Sequence, residues 1–277
     1  MAVGPHVSLS AENLATVAGF NFSNSIFTSL IASSLILLFA YYVSSKLKST
    51  DRPTGIQNFV ELILDGLLSL MNSVTGDRLK SYRFFPFVAT FFMFILLNNW
   101  LGLMPGVGTI SVMLPHETVA AAVLDDQTEV EELAIEGSYQ KETELHAVPI
   151  FRPGTADINT TLALAIFSVL MTQVMGFSYL SFSYFSKFFN FSSPIFFFVG
   201  ILELFSEFAK IISFAFRLFG NIFAGEVLLV VIAFLVPVIV PMPFYGLELF
   251  VGFIQALVFS MLTLVFFTMA TQAHGDH

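Results

Sequence analysis

Apolar residues in this chain come in long runs broken by short polar connections, and the run lengths predict the elements. The first run, Ile26 to Val43, is 18 residues long, close to the roughly 20 needed to cross a ~30 Å hydrocarbon core. A second, Phe84 to Met104, is 21 residues without a charge, with Asn98 and Asn99 near its end. A third, from Ile158 to about Phe185, is rich in Ser and Thr, which bond across helices or back to their own backbone. These three read as spans. Between the first two, Phe59, Ile63, Leu67 and Leu70 recur at helical spacing over Ile56 to Ser73 while Glu61, Asp65 and Asn72 fall elsewhere. That pattern predicts an amphipathic helix over 56–73 lying in the membrane interface, or a helix in a soluble loop.

The block from Pro194 to Val236 is 43 residues, or about 64 Å as continuous helix at 1.5 Å per residue, roughly twice the membrane thickness. It is expected to break into two pieces or to tilt steeply. Pro237, Pro241 and Pro243 read as a breaker cluster, since proline removes a helix donor and clashes with the preceding turn. A last run spans Tyr245 to Thr271. The expected fold is an all-α polytopic membrane protein, with about three upright spans or interfacial helices and a steeply tilted two-helix hairpin packed on a neighbour. The expected organisation is an N-terminal segment at 1–23, the first two spans at 24–114, a loop at 115–157, the third span and its loop at 158–193, and the hairpin at 194–277.

Composition agrees: 56% of the 277 residues are hydrophobic and 11% charged, against roughly 25% charged in soluble domains. Membrane lipid is therefore the solvent, and an ordinary soluble enzyme is excluded. With no cysteine, disulfides, thiolate metal sites and cysteine nucleophiles are excluded as well. The net charge of −9 argues against nucleic-acid binding. Most of that charge sits in one place. From Glu117 to Asp157 there are ten acidic and two basic residues, a balance of −8. Lys46, Lys48, Arg52, Arg78, Lys80 and Arg83 lie between the first two spans and Lys187 follows the third, so those loops are expected to be cytoplasmic and the N-terminus and acidic loop external. No basic residue occurs in the first 23, so the arrangement of a signal peptide is missing and the N-terminus is expected to be retained. The absence of an obvious internal repeat weighs against an inverted-repeat transporter.

Six charges inside the apolar helices carry the candidate chemistry: Glu203, Glu207, Lys210, Arg217 and Glu226 in the long block, and Glu248 in the last run. A charge in hydrocarbon costs at least ~2.5–3.5 kcal/mol and is a functional hypothesis by default. Glu207 and Lys210, three apart, read equally well as an intrahelical ion pair. At about 100° per residue, Glu203, Lys210, Arg217 and Asn221 form one stripe, and Glu226 falls on the opposite face. Arg217 reads as a permanent positive barrier, or as the structural partner of some carboxylate. A desolvated carboxylate can exchange a proton near neutral pH and suits a relay. Gln255 shares a face with Glu248 and can approach the Arg217 stripe across the hairpin, as an ion ligand or as helix–helix glue.

RLFGNIFAGE at Arg217 to Glu226 and IQALVFSMLTLVFFTMA at Ile254 to Ala270, together with NFVELILDG at 58–66 and ADINTTLALA at 156–165, resemble subunit a of rotary proton-translocating ATP synthase. The resemblance implies a stator packed against a ring of small proton-binding subunits, with two offset half-channels, a peripheral stalk subunit and the rest of the ATP synthase complex as partners, lipid around it and no cofactor. By it, Arg217 is the essential arginine that makes ring carboxylates release protons, with Asn221 and Gln255 beside it. Glu226 matches a relay position whose partner in some members is a His where this chain has Glu248. Glu203 and Lys210 match polar positions of the same helix. The hydrophilic insert at about 115–150 is longer than the resemblance leads one to expect, and the resemblance says nothing about its role. The chain lacks a GxxxxGK[ST] loop, so nucleotide chemistry belongs to partners and the chain is no enzyme on its own. The alternative is a self-contained ion-coupled secondary transporter or channel. Lack of a transit segment points to a bacterial inner membrane, with an organellar inner membrane as the other option.

Overall fold

The computed structural model describes residues 11–17, 20–46, 55–104, 107, 111–116, 144–181, 184, 188, 194–236 and 239–272. Most of the acidic stretch, Lys48, Arg52, Lys187, Pro237 and the C-terminal AHGDH lie outside the described residues. Among the described residues the order is β1 (Asn13–Val17), β2 (Phe20–Ser23), α1 (Asn24–Lys46), α2 (Ile56–Thr75), α3 (Arg78–Gly102), β3 (Ser111–His116), β4 (Glu144–Pro149), a 3-10 turn (Gly154–Ala156), α4 (Ile158–Leu180), α5 (Pro194–Leu235) and α6 (Pro241–Ala270). Five of the helices, all but α2, are long and apolar enough to cross a membrane. The protein is an all-helical polytopic membrane protein with two short antiparallel ribbons, β1–β2 and β3–β4, that hydrophobic periodicity does not predict.

Helix ends follow local chemistry. Asp77 caps α3, its carboxylate accepting from the backbone N–H of Leu79 and Lys80, so that helix begins six residues before the apolar run and carries Arg78, Lys80 and Arg83 in its first turns. Asp157 caps α4 in the same way through Asn159 N–H. Satisfying orphan donors at a helix start is worth about 1 kcal/mol per cap. The chain breaks at the proline cluster, α5 ending at Leu235 and α6 beginning at Pro241. Pro241 and Pro243 sit in the first turn of α6, where the first N–H groups have no intrahelical acceptor and a missing donor costs nothing. The long block runs unbroken as α5 over 42 residues, about 63 Å, so continuity rather than fragmentation resolves its length.

The core is aromatic. Phe84 and Phe91 of α3 meet Phe267 and Phe259 of α6 at centroid distances of 5.4 and 5.5 Å, and Phe214 of α5 reaches Phe259 at 5.0 Å. Ser168 and Thr263 exchange a hydroxyl hydrogen bond of 2.8 Å where α4 crosses α6. Leu67 and Met71 of α2 join this core while Phe59 and Leu62 stay exposed on its other side. Phe196, Phe198, Phe205 and Phe208 of α5 are exposed as well.

Contacts sort the ends of the bundle. One end holds the start of α1, the end of α3 and the start of α4. The other holds the start of α3 and the end of α4, where Arg83 donates to Ser178 Oγ at 3.1 Å and stacks 4.7 Å over Tyr179. Residues 150–157, counted by sequence with the acidic loop, belong to the bundle instead, since Arg152 through Asp157 are all buried.

Candidate functional site

Phe214 and Leu218 turn inward from α5, which leaves Arg217 on the outward side of the α5–α6 pair, exposed. Its Nη2 reaches Ser213 Oγ at 3.5 Å and its guanidinium stands 5.9 Å from the Phe214 ring. Among the described residues no carboxylate pairs with it. One turn on, Asn221 Nδ2 donates to Gln255 Oε1 at 2.5 Å, which ties α5 to α6 beside the arginine. Gln255 is buried, and its amide Nε2 has no partner among the described residues.

The opposite face of α5 is anionic. Glu226 Oε2 lies 3.4 Å from Arg152 Nε, an ion pair between α5 and the segment leading into α4. Glu248 of α6 is buried, and its carboxylate rests against the bare Cα of Gly225. Any β-carbon at Gly225 would occupy the carboxylate's place, so the glycine of FAGE is what lets α6 bring an acid onto α5. Arg217 and Glu226 are nine residues apart, about 13.5 Å along the axis.

Of the remaining stripe residues, Lys210 Nζ donates to Glu207 Oε1 at 2.8 Å and stands 4.9 Å from the Phe266 ring. The ion-pair reading of that couple therefore holds in geometry, and neither Lys210 nor Glu203 is brought to Arg217. Beyond them Tyr184, buried in the connection between α4 and α5, donates to Gln173 Oε1 at 2.6 Å. Burial pushes its phenol up to about 12, with smaller contributions from the negative charges of Glu207 and Glu203.

A polar network closes the end of the bundle nearest Glu226. Asn24 Nδ2 donates to Pro149 O, Ser25 Oγ to Asp157 Oδ2, and Ser29 Oγ to Asn98 Oδ1. Thr155 Oγ1 donates to Asn99 Oδ1 at 2.6 Å, and Asn99 Nδ2 to Gly252 O at 3.0 Å. Gly154 lets the chain pass, since a methyl there would strike Ser29 and Asn98. Sequence patterning misses Arg152 because its charge is diluted in an acidic stretch. The one local signal is Asp157 directly before a Thr-rich apolar run, a helix-capping pattern that marks the end of the loop. Among the described residues no three His, Asp or Glu side chains gather as a metal site.

The arrangement offers an always-charged group on one outer face and, behind it, the half-buried Glu226 and the buried Glu248, each served by a different part of the bundle. Residues 26–268 match the family model described as ATP synthase A chain. A relative from Gloeobacter violaceus named ATP synthase subunit a is 36% identical over 226 residues, covering 81% of this chain and 75% of the relative. With helices, intramembrane charges and sequence matching over nearly the whole length, the chain belongs to the ATP synthase A chain family.

Proposed function

We propose that the chain is the stator of a proton-driven rotary ATP synthase, holding two half-channels on either side of Arg217 and working with a ring of small subunits, a peripheral stalk and the rest of the complex. The observation that carries this reading is the exposed guanidinium of Arg217 on an apolar helix, without a carboxylate among the described residues to neutralise it. Left in hydrocarbon it costs several kcal/mol. A partner that presents acids along this face removes that cost, and an acid brought to ~4 Å gains about 4 kcal/mol at an effective dielectric of 20. That is about three powers of ten in its ionisation constant, enough to drive a proton off a desolvated carboxylate.

Protons enter and leave on the other faces. Glu226 and Glu248 line the path at the end of the bundle that carries the Asn98–Asn99 network, and the Asn221–Gln255 bond holds the hairpin closed beside the arginine. Glu203 and Lys210 contribute to the second path, toward the end where Arg83 and Lys80 gather. By the positive-inside rule that basic end is cytoplasmic and the acidic insert external. Arg217 blocks direct passage between the paths because a guanidinium keeps its charge at every relevant pH.

Gentle solubilisation of native membranes with an affinity tag on this chain tests the assignment. Recovery of a ring of small hairpin subunits is the expected result. A single chain that transports ions when purified and reconstituted alone contradicts it and favours a self-contained transporter.

A further inference from the structure

Arg152 is left over from the reading above, yet it is only 4% exposed. It precedes the 3-10 turn, and its backbone N–H donates to Thr28 Oγ1 of α1 at 3.3 Å. The segment is pinned on both sides, by Asn24 on Pro149 and by Thr155 on Asn99. Its backbone is therefore fixed in place, and its Nε stands 3.4 Å from the Glu226 carboxylate. We propose that Arg152 is a positioning residue for Glu226, the counter-charge that aims its carboxylate and sets the pH at which it takes up a proton in transport. This rests on the relay role of Glu226 proposed above.

Among the described residues the charged surroundings of Glu226 are few. Arg152 approaches from the segment before α4. Glu12, held at the start of α1 by Asn24 N–H donating to its carbonyl, lies close enough to act on Glu226 electrostatically. Glu248 comes from α6 against the adjacent Gly225. Asp157 is occupied with Ser25, Asn159 and Thr160. With two further acids near Glu226, the position of the cation beside it is decisive. A guanidinium beside a carboxylate stabilises its ionised form, so a relay paired with Arg152 releases its proton more readily than one left among carboxylates. The pair also gives the ribbon β3–β4, which feeds the Arg152 segment, a mechanical connection to the proton path.

The experiment is passive proton flux through the assembled membrane sector in vesicles, measured against pH for Arg152→Gln, Arg152→Lys, Glu226→Gln and the double variant Arg152→Gln/Glu226→Gln. Arg152→Gln should slow flux and move the pH profile toward alkaline by about one pH unit or more. Arg152→Lys should restore most of the profile, because it keeps the charge. The double variant should match Glu226→Gln, since with no carboxylate to serve the arginine has no further effect. Glu12→Gln should move the profile the opposite way, and it carries the test if Arg152→Gln does not assemble. An assembled Arg152→Gln sector with the unmodified profile overturns the proposal, as does an unmoved Glu12→Gln profile when Arg152→Gln is not recovered. Unchanged flux in Glu226→Gln overturns the relay reading instead, and the two failures are told apart by that single variant.

Discussion

A hydrogen atom at position 225 decides where a carboxylate can sit. Gly225 lets the Glu248 carboxylate lie on the backbone of α5, so Gly225→Ala must turn that carboxylate, the far end of a flexible side chain, out of its place. The side chain leaves its preferred rotamer at a cost of about 0.5–1.5 kcal/mol, and the thermal midpoint of the detergent-solubilised chain should fall slightly. Gly246→Ala, where a new methyl meets nothing within 4 Å, should leave it unchanged or raise stability by up to about 1 kcal/mol. Function is read at the same scale with Glu226→Gln and Glu248→Gln, which keep shape and hydrogen bonding but lose the exchangeable charge. Together they should lower proton flux on the order of a hundredfold, and unchanged flux would reduce both residues to helix–helix glue. Tyr184 gives a pH signature. Its folded value of about 12 lies above the ordinary 10, so the neutral phenol is favoured by folding. Stability from that preference is complete below pH 10 and is lost as pH rises from 10 through about 12. Tyrosinate absorbance followed from pH 9 upward should show one late-titrating tyrosine that disappears in Tyr184→Phe.

Elements differ in how plainly the sequence declares them. Apolar run length suffices for α1, α3, α4, α5 and α6, because lipid demands long uncharged segments, and helical spacing suffices for α2. The opposite placement of Arg217 and Glu226 needs only the helical period, provided α5 is continuous, as it is. Short ribbons escape because β1–β2 and β3–β4 are held by backbone pairing between strands of four to six residues, too short to stand out as apolar runs. In β3–β4 the register closes at His116 opposite Glu144, so the acidic insert leaves from and returns to neighbouring residues. Deleting 117–143 and joining the strands by Asn-Gly should therefore preserve assembly and coupled ATP synthesis. Extending the deletion to 157 should abolish both, because Arg152, Thr155 and Asp157 belong to the bundle. Loss of proton conduction by the shorter deletion in a normally assembled complex would contradict the separation of insert and path.

For the whole molecule, the candidate site is assembled from parts that no local pattern joins. The helix stripe places Arg217 beside Asn221, and the hairpin brings Gln255 to them. Arg152 reaches Glu226 only through the tertiary fold, across α1, the segment before α4 and α5, so its partnership is invisible in the order of residues. What unites these parts is one functional claim, that Arg217 both discharges a passing acid and seals the two paths from each other. It is tested most directly by proton flux and ATP synthesis in inverted membrane vesicles carrying Arg217→Ala, with assembly verified by immunoblot. Loss of ATP-driven pumping and of synthesis, with a passive proton leak in place of the barrier, is the predicted result. An assembled Arg217→Ala complex that still makes ATP would contradict it.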